Sequence, residues 1–415
     1  VLKIYLALRL IQHLIEVNLS RLNARYWSNA ERQKSAAAEL EISSDDMTKS
    51  AQYSLVKHRF SILKATIVTV LSLGFIAFGG LGIVEGLASE ITSLYLDTSS
   101  ELLTGIVFFL ILMLASQVLS LPFALYHTFV IEERFGFNKQ TGRGFFVDIA
   151  KGLLLGFVLG VPLLALILYI IEAAGDYWWV LAWATMSVFS LLVAWLYPTL
   201  LAPLFNKFKR LEDGELKSKI DALSKQIGFA TDGVFVMDAS KRSAHGNAYF
   251  TGIFGKKRIV LFDTLLSDMS SSEVTAVLAH ELGHFKLHHV RNSMIRGLVM
   301  SLAVFYLMSI LIHEVVFFEA FSLSPATSYG GLIVFVLWFS MVEFLMQPLE
   351  TWLSRRNEFA ADDFARVNLG RADDMISALK KLREKSFVMP LSHPLYSAIY
   401  HSHPPMLERL RALRT

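Results

Sequence analysis

Runs of about twenty apolar residues recur along this chain, and they constrain its fold more than any other feature. About twenty helical residues cross the ~30 Å hydrocarbon core of a bilayer, so such runs read as membrane spans rather than as an outsized core. About seven are counted, near Val1–Val17, Ile62–Val84, Leu102–Tyr126, Leu153–Ile171, Trp178–Tyr197, Ile295–Val315 and Gly330–Gln347. The first is short and interrupted by polar residues. Composition agrees: 54% of residues are hydrophobic and only 18% charged, against ~25% charged in an ordinary soluble domain. A net charge of +3, with no basic tract, sets nucleic-acid binding aside. Cysteine is absent, which excludes disulfides, thiolate ligands and a cysteine nucleophile and leaves His, Asp and Glu to hold any metal. The chain opens on Val1, so its native start is expected upstream, and no separate cleavable signal peptide is read in it.

The loops sort by charge. Arg21, Arg25, Arg32, Lys34, Lys49, Lys57 and Arg59 follow the first run, Arg134, Lys139 and Arg143 the third, and Lys207, Lys209 and Arg210 the fifth. The intervening loops around 85–101, 172–177 and 313–329 carry no Lys or Arg. By the positive-inside rule the N-terminus lies outside and both long polar stretches lie in the cytosol. Two runs carry polar stripes at helical spacing: Arg9, His13 and Glu16, and Glu343, Gln347 and Glu350. Charges facing lipid cost several kcal/mol, so these stripes should face one another or water. Interior ion pairs that register the helices are the plainer reading of the first stripe.

The stretch "TAVLAHELGHFKLHHV" at 275–290 holds four histidines and a glutamate. His280, Glu281 and His284 spell H-E-x-x-H on what reads as one helix through His289, with Ser270 and Glu273 as a capping box and His288 one turn beyond His284 on the same face. Residues i and i+4 share a helix face, so both imidazoles can reach one zinc ion. Zinc lowers the pKa of a coordinated water toward ~7, and Glu281 is placed to take its proton. A catalytic zinc needs a third protein ligand and an open position. "SRRNEFAADDFA" at 354–365 offers Glu358 as that ligand and Asp362, one turn on, as acceptor for the free nitrogen of a zinc histidine. A solvated acidic face is the plainer reading of this stretch, and it suits Asp363. His288 is open as an alternative ligand or an interfacial residue, and the roles of His289 and His401 are open too.

H-E-L-G-H together with "SRRNEFAAD" resembles the integral-membrane zinc metalloproteases called type I CAAX prenyl proteases. "IEERFGFNKQT" at 131–141, "SKRSAHGNAYFTGIFGKKRIVLFDTLL" at 240–266 and "YHSHPPMLERL" at 400–410 match the same family. The resemblance implies one zinc ion per chain on His280, His284 and Glu358, with Glu281 as general base, Asp362 behind the ligands and His403 stabilising the oxyanion. It also implies a mainly α polytopic membrane protein whose roughly seven spans enclose a chamber, with a cytosolic zincin-like α+β metalloprotease domain. The expected division is 1–199, with five spans, and 200–415, the metalloprotease region with further spans near 295–315 and 330–350. "NAYFTGIF" and "RIVLF" read as strands around the turn "GKK", and an exposed strand edge binds peptide backbone by strand addition. Asn247, Ala248 and Tyr249 match the family's segment of that kind. His393 departs from the family, which has an acidic residue at that position. The compact zinc domain and the C-terminal "RALRT", which lacks an endoplasmic-reticulum retrieval signal, look more like a bacterial member.

The leading expectation is therefore a membrane-embedded zinc endopeptidase acting near the cytosolic face on prenylated or other membrane-associated peptides. A bacterial inner membrane is its expected place, with the endoplasmic reticulum membrane as the alternative. The lipid bilayer and a peptide or protein substrate are its expected partners. Two other readings stand beside it: a quality-control protease for membrane proteins, and a transporter or channel with an accidental H-E-x-x-H.

Overall fold

The computed structural model describes residues 1–95, 100–251, 257–312 and 314–415, and most of them are helical. The N-terminal half runs through α1 (Leu2–Trp27), α2 (Ala30–Leu40), α3 (Ser44–Ala77), α4 (Gly80–Tyr95), α5 (Glu101–Tyr126), α6 (Gly142–Leu155), α7 (Val161–Ala173) and α8 (Trp178–Leu196). Among the described residues, six helical segments are long and apolar enough to cross a membrane. They are Ser44–Ala77, Glu101–Glu132, Gly142–Ala173, Gly175–Leu204, His289–Leu311 and Ser328–Leu369. The third of these joins α6 to α7 through one wide turn, Gly156–Gly160, just before Pro162, which cannot donate to the helical ladder.

The difference from the seven expected runs is α1. It is a 26-residue helix, but Lys3, Arg9 and Glu16 keep it out of that set. Its Ile4, Leu8, Ile11 and Ile15 are exposed along one face while Tyr5 and His13 are buried on the other. Apolar residues at that spacing suit contact with lipid. The second expected run is shorter than Ile62–Val84. Helix α3 stops at Ala77, Gly79 turns with φ +72, and the chain restarts as α4. That backbone region is open to glycine at no steric cost. The stripes share space only in part: a cavity of about 560 Å³ between α1 and two later helices is lined by Glu16 of the first stripe and by Glu343, Gln347 and Glu350 of the second, with Arg296, whereas His13 turns to Thr66 of α3 at 3.2 Å. Within α1, Gln12 bridges Arg9 and Glu16 at 2.7 and 2.8 Å, so those two charges are linked rather than directly paired.

The second half begins with β1 (Phe208–Arg210), α9 (Glu215–Ile227), β2 (Val234–Met237), β3 (Ala248–Thr251) and β4 (Arg258–Phe262). The sheet order is β1-β2-β4-β3, with β2 and β4 parallel and the other pairs antiparallel. Strand β3 is thus an edge strand; most of the turn joining it to β4 lies outside the described residues. Then come α10 (Asp263–Asp268), α11 (Ser271–Lys286), α12 (His289–Leu311), α13 (Val315–Ala320), α14 (Ser328–Leu369), α15 (Asp373–Ser386), α16 (Pro394–Tyr400) and α17 (Met406–Arg414). Leu278 and Leu282 of α11 pack fully buried with Ile220 of α9 and Ile259 and Leu261 of β4. Each such side chain contributes roughly 1.5–3 kcal/mol. This i, i+4 leucine pair fixes the face of α11 that meets the sheet and leaves His280 and His284 toward α14.

Helix α14 is 42 residues long. Its first turn is held by carboxylates from three earlier helices. Ser328 N donates to Glu101 at 2.6 Å, Ser328 Oγ to Glu172 at 3.0 Å, and the Tyr329 hydroxyl to Glu85 at 2.8 Å. Anionic groups at a helix N-terminus satisfy its free N–H groups and its dipole.

Candidate metal centre

The helix that carries H-E-x-x-H starts as its sequence predicts. The Ser270 hydroxyl accepts from the Glu273 amide at 3.3 Å, and the Glu273 carboxylate accepts from the Ser270 amide at 2.7 Å. Glu273 also accepts from Ser377 at 2.6 Å and Lys381 at 2.7 Å. Burial pulls its pKa upward, but these donors outweigh burial and bring it down to about 2.

The helix ends earlier than expected. It stops at Lys286, and His288 takes φ 59, a left-handed turn that starts α12 at His289. His288 is consequently exposed and not one turn beyond His284 on a shared face. It is His289 that returns to the site, its Nδ1 3.1 Å from Nδ1 of His284.

Helices α11 and α14 meet closely at small residues. A Cβ built on Gly283 would lie 3.2 Å from Cα of Ala361 and 3.1 Å from the Phe364 ring. That approach brings Glu358 to the two histidines. His280 Nε2 lies 3.2 Å from His284 Nε2 and 3.4 Å from Glu358 Oε2, and His284 Nε2 lies 3.3 Å from Glu358 Oε1. Ligands 2.0–2.1 Å from a tetrahedral zinc stand ~3.3 Å from one another. Glu358 Oε2 is buried and among the described residues has no hydrogen-bond partner, in a place where an unsatisfied carboxylate oxygen is costly. Donor type, spacing and this orphaned oxygen all fit a metal ion.

Behind the ligands, His280 Nδ1 lies 2.8 Å from Asp362 Oδ1. Asp362 in turn accepts two bonds from Arg409 of α17, at 2.6 and 2.8 Å. Sequence reasoning missed Arg409; it falls within the "SHPPMLERL" motif, but nothing in the spacing tied it to Asp362. Glu281 is half-buried beside the histidines. Burial pushes its carboxyl up, and Glu358 adds to this, against the lowering effect of the imidazoles and Arg409.

His403 and His401 have different surroundings. His403 Nε2 lies 3.4 Å from Glu358 Oε1. The His401 ring packs edge-on to Tyr396, and its carbonyl accepts from Arg355 at 2.8 Å. Asn247 leads into β3: its carbonyl accepts from the Phe262 amide at 3.0 Å and its side chain from the Ala248 amide at 2.8 Å. Tyr249 packs against Phe262, and β3 lies along α11. His393 caps α16, its Nδ1 accepting from the Leu395 amide at 3.2 Å. That is the part a carboxylate plays at an N-cap, so the departure from an acidic residue leaves the turn intact.

Residues 25–207 match the family model described as CAAX prenyl protease N-terminal, five membrane helices, and residues 210–415 match peptidase family M48. The CAAX prenyl protease 1 homolog of Arabidopsis thaliana is 40% identical over 374 residues, covering 90% of this chain and 88% of that protein. The CAAX prenyl protease 1 homolog of Mus musculus is 37% identical over 444 residues, covering 97% and 93%. The crystal structure of S. mikatae Ste24p superposes with a TM-score of 0.93 at 32% identity, covering 100% of this chain and 99% of that one.

Proposed function

The chain belongs to peptidase family M48 and is an integral-membrane metalloprotease, and we propose that it uses zinc to cleave prenylated proteins ending in a CAAX sequence. In such a sequence a lipid-bearing cysteine is followed by two aliphatic residues and a terminal one. The observation that carries this reading is the mutual spacing of His280, His284 and Glu358, together with a Glu358 oxygen that has no hydrogen bond among the described residues. A zinc ion held there supplies a Lewis acid that polarises the scissile carbonyl and acidifies water.

The chain's own residues do the rest. Glu281 accepts a proton from the attacking water and passes it to the leaving amine. His403 offers an N–H to the oxygen on which negative charge develops. Asp362, fixed by Arg409, holds the His280 Nδ1 proton and so leaves the Nε2 lone pair free for the metal. The outer edge of β3, from Asn247 through Tyr249, pairs with substrate backbone.

Residues 1–199 serve as the membrane region and residues 200–415 as the metalloprotease region. The catalytic end faces the cytosol, by the charge asymmetry of the loops. The membrane is that of the endoplasmic reticulum or a bacterial cell, and the plant and mouse relatives favour the former. The test is metal analysis of the purified protein beside hydrolysis of a farnesylated fluorogenic peptide. One zinc per chain with lipid-dependent cleavage is expected. Equal cleavage of the unprenylated peptide would move the assignment to general membrane-protein degradation.

A further inference from the structure

A second cavity, of about 360 Å³, lies among α1, α3 and the segment between α15 and α16. Its lining combines apolar and aromatic side chains, among them Trp27, Phe387, Leu391 and Tyr396, with polar ones that include Lys57 and His401. Its size falls in the range of small-ligand sites, and an apolar lining with a few placed polar groups is what such sites share.

Two flanks of this cavity lead toward the metal centre and the edge strand, one by sequence adjacency and one by ring contacts. His401 stands two residues before His403, which touches Glu358. On the other flank, Phe387 packs edge-on to Phe137 at 5.1 Å, and Phe137 stacks on His245 at 4.3 Å. His245 stands two residues before Asn247, where the edge strand begins. A peptide adding to β3 in the antiparallel sense, the slightly more stable pairing, sends its C-terminal residues past Ala248 toward His245. Through Phe387 and Phe137 the cavity adjoins His245, on the side of β3 toward which those residues run.

Lys57 gives that end its charge. The side chain is half-buried, and among the described residues it makes no ion pair. Its ammonium donates to the Tyr53 hydroxyl at 3.1 Å, which donates to Glu132 at 2.7 Å, leaving two of three donors for another acceptor.

We infer that this cavity receives the substrate's C-terminal residues, aliphatic side chains against its apolar and aromatic lining and the free carboxylate on Lys57. The inference rests on the CAAX reading above and deepens it: Lys57 is a specificity-determining residue that selects for a true chain end.

The experiment compares two farnesylated peptides identical except for a C-terminal acid or amide, cleaved by zinc-loaded full-length protein in neutral-lipid vesicles. Wild type is expected to favour the acid by about 10- to 100-fold in kcat/KM, the range for a hydrogen bond to a charged group. Lys57→Met should bring the acid-to-amide ratio near one, and Lys57→Arg should keep most of it, with zinc content unchanged in both. A wild-type ratio preserved in Lys57→Met overturns the inference. So does a Lys57 effect that is equal for both peptides and present only with anionic lipid, which would assign the lysine to a headgroup. Wild type that cleaves neither peptide sinks the functional reading, and this inference with it.

Discussion

Two glutamates near the ends of one packed unit, Glu273 and Glu358, are each only 4% exposed. They solve burial in opposite ways. Glu273, at the start of α11, takes hydrogen bonds from Ser270, Ser377 and Lys381 and is saturated. Glu358, on α14, keeps one oxygen without a hydrogen bond among the described residues. A buried carboxylate that only holds a fold together is fully satisfied, whereas one left with spare accepting capacity is arranged for something that arrives later.

The difference can be broken experimentally, and the largest effect belongs to Glu358. Glu358→Gln should lose stoichiometric metal by elemental analysis and with it all detectable hydrolysis. Full metal retention would erase the distinction between the two glutamates. Next comes Glu281→Gln, which should keep the metal but lose ~10²–10⁴-fold in kcat, because the base goes and the ligands stay. Asp362→Asn should weaken metal affinity by ~10–100-fold in a chelator competition, since His280 loses its orienting acceptor.

The smallest effect is on the structural side. Glu273→Gln should lower stability by ~1–2 kcal/mol, read from thermal unfolding in detergent, with metal content unchanged. Its pH dependence has a definite sign. The folded pKa lies below the ordinary value of 4.5, at about 2, so the contribution is complete above the unfolded value. It fades as pH falls from ~4.5 toward the folded value, and the gap between wild type and variant should close over that window. A gap that widened on acidification would place the stabilising charge elsewhere.

Much of the centre was legible because its spacing is local. His280, Glu281 and His284 share one helix, Glu358 and Asp362 share another, and capping chemistry marks the start of α11. What escaped depended on backbone choices that residue type does not announce. His288 adopts a left-handed turn that non-glycine residues seldom take, which ended the helix and exchanged the places of His288 and His289. Gly79 ended a span that hydropathy alone carried on to Val84. Arg409 reaches Asp362 across 47 positions of sequence, and no periodicity encodes a contact between α14 and α17. The charges of α1 were read correctly as a polar stripe, but Gln12, not direct pairing, ties Arg9 to Glu16.

The three-carboxylate footing of α14 has a mechanical consequence. Thirty residues separate Ser328 from Glu358, a lever of ~45 Å at 1.5 Å per residue. Two of the proposed ligands ride on the 16-residue helix α11, while the third sits far along a rod whose base is pinned by Glu85, Glu101 and Glu172. A force that tilted this rod would bear on the close contact of Gly283 with Ala361, the packing that brings its carboxylate to the imidazoles.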